Sequence, residues 1–376
     1  LKSYSFFGMI IRGDRVNKKI SYILVLAIFV STLSGCTTKT TYTKYTETFF
    51  DTFDTVIQIV GYTETEDEFR NYTKIMHDRM LELHKLYDRY NNYEGLNNIK
   101  TINDNAGKQP VKVDKEIIDL IKFSKEMYFR SKQRTNIAFG SVLDVWAKYR
   151  DEAELDPENA KIPSMEELKM ANEHTDINKV IIDEKNSTVY LEDPNMRLDV
   201  GAIAKGYATE IVVEEIKKEG FSSFIMSSGG NVKAVGKPLD GNRDKWGIGI
   251  QDPNKDILTD ENKVLDTVFI NDLSVVSSGD YQRYYVVDGK RMHHIIDPDT
   301  LMPATYYRAV TVITPNSGEA DFYSTEVFLL PFEESKKLVE SIDNLEAIWV
   351  FADGSVQMTD GYMKISKTYG NAISNN

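Results

Sequence analysis

Apolar residues recur at three- and four-residue intervals over 66–90, where Phe69, Tyr72, Ile75, Met76, Met80, Leu83 and Tyr87 share one face. That spacing predicts a long amphipathic helix. A second helix is predicted from Asp114, a capping residue, to about Lys132, with Ile117, Ile118, Ile121 and Met127 inward. A third covers Gly201 to Glu219, with Ile203, Tyr207, Ala208, Ile211, Val212 and Ile216 on one side and Gly220 as its stop. Shorter helices are predicted at 141–150, 164–172, 318–329 and 333–341. Phe53 to Val60 has the β-branched and aromatic content of a strand. The stretch 91–112 reads as loop with a short strand, and 151–163, charged and bounded by Pro, as a surface connection. A hairpin is predicted from 179–182 and 188–191. From Phe221 the pattern becomes short strands and turns, at 222–227, 231–235, 246–250, 264–270, 273–277, 282–287 and 308–314, with two more near 346–351 and 355–358. Helices dominate the first half and strands the second, which predicts an α+β fold of mixed, largely antiparallel sheets packed with helices. No repeat of 20–50 residues is present.

The N-terminal pattern is different in kind. Arg12, Arg15, Lys18 and Lys19 precede an almost unbroken apolar run, Ile20 to Val30, which is short for a spanning helix. The run ends in Leu33-Ser34-Gly35-Cys36, which resembles a bacterial lipobox, the signal in which the cysteine is lipidated. Residues 1–35 are therefore expected to be an export signal, with Cys36 the lipid-bearing residue. The chain opens with Leu, and Met9 and Val16 are alternative starts. Residues 36–48, rich in Thr, are expected to be a tether. The body is expected over 49–365, with 366–376 a tail. This arrangement places the protein at the cell membrane, lipid-anchored, on the extracytoplasmic face.

Composition narrows the function classes. The 376 residues carry a formal net charge of −13 and are 41% hydrophobic, enough for a real core. Before Cys36 stand five basic residues and one acid, so 40 basic residues face 57 acids in the remainder. No basic patch offsets that excess, and nucleic-acid partners are not expected. The single cysteine excludes an internal disulfide framework, a cysteine zinc site and an iron–sulfur cluster.

Four stretches could carry chemistry. In Asp199-Val200-Gly201-Ala202-Ile203-Ala204-Lys205-Gly206 a carboxylate precedes a helix start with a lysine one turn in, an arrangement that can meet an anion. A plain loop entering an amphipathic helix explains it as well. Ser227-Ser228-Gly229-Gly230-Asn231 lies between two strands; its glycines allow close approach of a ligand, or simply a tight hairpin. Ser277-Ser278-Gly279-Asp280-Tyr281 is followed by His293-His294-Ile295-Ile296-Asp297-Pro298, in which at most one of the adjacent histidines faces a given site, so zinc is not expected. In Ala320-Asp321-Phe322-Tyr323-Ser324-Thr325, Asp321 and Thr325 fall one helical turn apart. Their hard oxygens suit Mg²⁺, although a helix-start acid and a packed Thr would read the same way.

Taken in order, DVGAIAKGYA (199–208), SSGGNVKAVGKP (227–238), SSGDYQRYY (277–285), HHIIDP (293–298) and EADFYST (319–325) resemble the FAD:protein FMN transferase, or ApbE, family. The resemblance runs from about Phe50 to Gly361. It implies an α–β roll that uses FAD and Mg²⁺ to move FMN onto a Thr or Ser hydroxyl of an acceptor protein, with AMP leaving. By motif position it implies Asp321, Thr325 and the Ala202 carbonyl as metal ligands. Phe53, Tyr90, Asn136, Ile137, Ala138, Asp199, Lys205, Gly229, Gly230, His294 and Ile295 are implied as FAD contacts, and His294 or Asp321 as the group handling the acceptor proton. The chain departs from the family pattern at three places. Leu301 stands where Gly is usual; Glu326, expected near the metal or facing solvent, replaces a small residue; and Phe53 replaces Met. Two other readings share much of this pattern: an Mg²⁺-dependent FAD pyrophosphatase, and a flavin-binding lipoprotein.

Overall fold

The computed structural model describes residues 41–255 and 263–375. Cys36, the export signal and residues 37–40 of the tether lie outside the described residues. Eight strands form one fully antiparallel sheet: β1 (Thr43–Thr52), β2 (Thr55–Thr63), β6 (Phe224–Ser228), β7 (Asn231–Val235), β10 (Ser274–Gly279), β13 (Ala309–Thr314), β14 (Glu346–Val350) and β15 (Val356–Met358), in spatial order 1-2-6-7-10-13-14-15. One face, through Ile57, Ile59, Met226, Val310, Val312 and Trp349, packs into the larger core. Helices α1 (Glu66–Tyr87), α6 (Ala204–Lys218) and α7 (Ser317–Phe328) complete that layer. The other face, through Val275, Ile313 and Ile348, meets Trp246, Ile248, Ile250, Val268 and Ile270 of the hairpin β8 (Trp246–Gln251) and β9 (Val264–Ile270). With layers packed on both faces, β13 shows no alternation of burial: all six residues are buried, Thr311 and Thr314 included.

The remaining elements sit beside this sandwich. A small sheet of β3 (Val111–Lys112), β5 (Thr188–Leu191) and β4 (Val180–Asp183) accompanies helices α3 (Lys115–Arg130), α4 (Gly140–Leu155) and α5 (Met165–Asn172). Beyond α7 come α8 (Phe332–Glu340) and α9 (Asp360–Ile365). Among the described residues no helix is long and apolar enough to cross a membrane.

Four differences from the sequence expectation have physical causes. Thr43–Thr48, expected in the tether, form the first half of β1. This edge strand leaves half of its residues exposed, so its sequence is polar, and its order comes from pairing with β2 (Thr43 opposite Thr63, Glu47 opposite Ile59). Inside the stretch expected as loop, α2 (Ile99–Asp104) is started by a reciprocal cap between Asn98 and Thr101, too short a helix to show periodicity. The strand β12 (Lys290–His293) is hidden by exposed Lys290 and Arg291; it pairs with β11 (Tyr284–Val287). The expected tail is packed: α10 (Lys367–Gly370) lies on β9, where buried Asp266 accepts the Thr368 N–H (2.9 Å) and the Tyr362 hydroxyl (2.9 Å).

Candidate active site

Two turns meet at one end of the large sheet. Phe53 and Asp54 join β1 to β2, both in the left-handed region (φ 52° and 49°), and the Phe53 N–H donates to His84 Nδ1 (3.1 Å). Beside them Gly229 and Gly230 join β6 to β7, and the Gly229 N–H donates to the Val56 carbonyl (3.1 Å). Gly229 has φ +57°, and any side chain on it would overlap Thr55, so only glycine fits. These turns form one wall of a cleft of about 500 Å³, within the usual size of small-molecule sites.

The floor is the contact between α6 and α7. The chain turns tightly at Val200, whose carbonyl accepts the N–H groups of Ile203 and Ala204, and the helix begins at Ala204 rather than at Gly201. Gly206 faces α7 so closely that a methyl group there would overlap the Ser317 carbonyl and Asp321 Cβ. Its N–H donates to Asp321 Oδ2 (2.7 Å). The start of α7 is held by Glu210, which accepts the Ser317 N–H (2.7 Å) and pairs with buried Lys233 (3.1 Å). Ala202, Lys205, Asp321 and Thr325 consequently line one cleft.

This donor set fits a hard cation. Asp321 is only 6% exposed, and burial pushes its carboxyl above the usual carboxylate range against the pull of Lys205 and the Gly206 N–H. Oδ1 takes no hydrogen bond among the described residues. A desolvated carboxylate with one free oxygen, one helical turn from Thr325, in a cleft that Ala202 also lines, is a hard-oxygen donor set suited to Mg²⁺, with water completing the shell. Among the described residues there is no cluster of three or more His, Cys, Asp or Glu.

On the opposite side Asp199 is engaged twice. Its Oδ1 accepts the Gly201 N–H (2.7 Å), and its Oδ2 pairs with Arg89, which also pairs with Asp144. Burial alone would raise the Asp199 carboxyl, but Arg89 and the Gly201 N–H together hold it below its ordinary value. Asp144 is raised by its own burial in spite of Arg89. The guanidinium carbon of Arg89 lies 5.3 Å from the ring centroid of Tyr90, which is 61% exposed and offers a free aromatic face to the cleft.

His294 and Ile295 close the far wall. His294 Nδ1 lies 3.3 Å from the Arg283 carbonyl, which can only accept, so Nδ1 carries the proton and Nε2 is left as the unprotonated nitrogen. Burial, His293 and Arg283 push the imidazole down to about 3. The folded protein therefore keeps His294 neutral where an unfolded chain, with its ordinary value of 6.5, takes up a proton. The stability that follows is intact above pH 6.5 and is lost as the pH falls toward 3. An imidazole NMR titration is expected to show His294 uncharged at pH 5, and His294→Gln to flatten the fall of the urea midpoint below pH 6.5. A charged His294 at pH 6 would contradict this. So weak a base is better suited to accept a hydrogen bond than to remove a proton.

Residues 134–137 form the last wall. Asn136 Nδ2 donates to the Thr175 carbonyl (2.8 Å), and the Asp199 N–H to the Ile137 carbonyl (2.8 Å), which puts Asn136 and Ile137 on the cleft. Ala138 does not join them: it is fully buried in the core behind the wall, its N–H taken by the Asn136 side chain (2.8 Å). Glu326 lies neither at the metal position nor in solvent, but fully buried against this same stretch. Leu301 keeps the turn expected of glycine at φ +59°, because its side chain is 5% exposed in a satellite core and its carbonyl accepts the Trp146 indole N–H (3.0 Å).

The cleft thus gathers Phe53, Tyr90, Asn136, Ile137, Asp199, Ala202, Lys205, Gly229, Gly230, His294, Ile295, Asp321 and Thr325. Sequence reading missed Arg89, Arg134, Arg150 and Arg283, which line it too. Their one signal was their rarity in an acidic chain, since no spacing marks them.

An antiparallel sheet layered between helices and a hairpin, with one cleft gathering oxygen ligands and cations at the end of that sheet, defines an α+β protein built to hold an anionic ligand. The chain belongs to the ApbE family, whose model matches residues 53–349. It is 30% identical over 281 residues to the FAD:protein FMN transferase of Klebsiella pneumoniae (strain 342), covering 73% of this chain and 83% of that protein. To the FAD:protein FMN transferase of Treponema pallidum (strain Nichols) it is 31% identical over 277 residues, 70% of this chain and 73% of that protein. The crystal structure of the ApbE protein from Thermotoga maritima superposes with a TM-score of 0.72 at 26% identity, covering 86% of this chain and 99% of that one. The flavin transferase ApbE from Vibrio cholerae, at 19% identity, shares the fold with a TM-score of 0.70 over 88% of this chain and 99% of that one.

Proposed function

We propose that this chain is an enzyme that transfers FMN from FAD to a Thr or Ser hydroxyl of an acceptor protein, with Mg²⁺, on the outer side of the cytoplasmic membrane. The observation that carries the reading is the meeting of Asp321, Thr325, Ala202 and Lys205 in one cleft of an ApbE-family chain. In the reaction the acceptor oxygen forms a bond to the FMN phosphorus. The bond from that phosphorus to the bridging oxygen breaks, AMP leaves with the bridging oxygen, and the hydroxyl proton goes to solvent or product. Phosphoryl transfer of this kind depends on positioning and charge neutralisation more than on covalent help. Bound Mg²⁺ would supply that neutralisation on the pyrophosphate.

The chain's own residues supply the rest. Asp321, Thr325 and the Ala202 carbonyl hold the cation. Lys205 makes no ion pair among the described residues, so its ammonium is available to a phosphate oxygen. Tyr90 and Phe53 offer aromatic surface to the flavin, and the Gly229-Gly230 turn lets the cofactor lie against backbone. His294, neutral, accepts a hydrogen bond through Nε2. The lipid on Cys36 would keep the body at the membrane.

The test incubates the protein with FAD, Mg²⁺ and a synthetic peptide carrying one acceptor Thr, and weighs the peptide. A gain of FMN less water, lost in EDTA, is expected. Free FMN and AMP with no labelled peptide, across several acceptor sequences, would replace transfer by hydrolysis.

A further inference from the structure

Glu326 is a charged side chain with no exposure at all, one residue past Thr325 on α7. Its carboxylate reaches across 191 to 194 residues of sequence to the loop that follows α3. Oε1 accepts the Lys132 N–H (2.8 Å) and, with Oε2, the Arg134 N–H (3.2 Å each); Oε2 also accepts the Thr135 N–H (2.6 Å). Three backbone donors thus converge on one carboxylate, a charge-assisted arrangement of the strong kind. Between them sits Gln133, a residue with a side chain held at φ +63°. Such a conformation persists only where its surroundings over-determine it, and Glu326 grips the backbone on both sides of it. The segment so held carries Arg134, Thr135, Asn136 and Ile137 into the cleft. Arg134 Nε and Thr135 Oγ1 are buried there without a hydrogen-bond partner.

We propose that Glu326 is a positioning residue that locks the 132–135 backbone, and with it the 134–137 wall, to the helix bearing Asp321 and Thr325, so that the wall is preformed for the flavin nucleotide. This rests on the reading of the cleft as an FAD site. Farther along, the wall has other anchors, Asn136 on the Thr175 carbonyl and Arg134 paired with Asp299, but the backbone on either side of Gln133 is held by Glu326; removing that carboxylate frees Gln133 to relax and shifts the Arg134 and Thr135 backbone out of register with the cleft. The lesion falls on nucleotide binding; the ligands of the cation keep their own supports, Gly206 for Asp321 and the helix for Thr325.

The experiment compares wild type with Glu326→Gln and Glu326→Ala, each measured well below its own Tm. FAD affinity is read by flavin fluorescence and transfer kinetics by peptide labelling. The expected result is a rise in FAD Kd and KM of about tenfold in Glu326→Ala and less in Glu326→Gln, which keeps one acceptor oxygen. The kcat at saturating FAD and the KM for Mg²⁺ are expected to stay within about threefold. Folded variants with an unchanged FAD Kd would reduce Glu326 to a structural role and overturn the proposal. Should both variants fail to fold, hydrogen exchange on the wild-type chain decides. FAD is expected to increase protection at the Arg134 and Thr135 amides, and no change there would overturn the proposal. Absence of FAD binding by the wild type itself would instead overturn the FAD reading of the cleft, and this inference with it.

Discussion

Asp321→Asn is expected to lower flavin transfer by about 10³-fold or more while leaving the protein folded. Asparagine has the same shape and keeps an oxygen for the Gly206 N–H, so the contact between α6 and α7 survives. The charge does not. Asp321 is the one carboxylate in the proposed ligand set, and its negative charge is what makes the site prefer a divalent cation to water. In the absence of metal that charge is a burden, because it is desolvated and its nearest cation, Lys205, offsets it only in part. The variant without metal is therefore expected to melt no lower than wild type. Added Mg²⁺ should raise the Tm of wild type by mass action and leave that of Asp321→Asn unchanged. Transfer retained within tenfold, or an Mg²⁺-dependent Tm rise that persists in the variant, would remove Asp321 from the cation site.

Gly206→Ala tests the same site through the backbone. The methyl group would overlap the Ser317 carbonyl and Asp321 Cβ, and neither is the free end of a flexible side chain. Overpacking of this kind costs about 3 kcal/mol at its upper end, and the better helix propensity of alanine returns about 1. The net of about 2 kcal/mol corresponds to a fall in Tm of about 3 °C for a chain of this size. Activity should suffer far more. Separating α6 from α7 moves Asp321 away from the Ala202 carbonyl and Lys205, and a displacement of about 1 Å at a reacting centre can cost about 100-fold. Thermal melts and peptide labelling on the same preparation check the pair of numbers. A large loss of stability with proportionate loss of activity would show that Gly206 serves packing alone.

Much of the architecture was legible in the chain because it rests on local periodicity. The helices from Glu66, Lys115, Met165, Ser317 and Phe332 begin within about two residues of where apolar spacing and caps place them, and β7 and β9 match residue for residue. The motifs around Asp199, Gly229, His294 and Asp321 were visible as runs of unusual composition, and the ApbE resemblance set them in order. The elements that escaped, β1, β12, α2, α9 and α10, are short or exposed. Their order comes from a partner strand, a side-chain cap or a buried aspartate far away in sequence, none of which leaves a periodic trace.

The site divides in the same way. Asp321 and Thr325 share a helical face by arithmetic alone, and that much belonged to the sequence. Arg89 meets Asp199 across 110 residues, and Glu326 meets Thr135 across 191. Those pairings exist only when the sheet has brought its turns to one end and the core has excluded water around them. Desolvation makes a buried charge seek a partner, and which partner lies within reach is decided by the fold. The sequence alone could number the groups that a cation and a pyrophosphate require. Only the tertiary structure could show that Ala138 stands behind the wall, that Leu301 holds a glycine's turn, and that Glu326 ties that wall to the helix carrying Asp321 and Thr325.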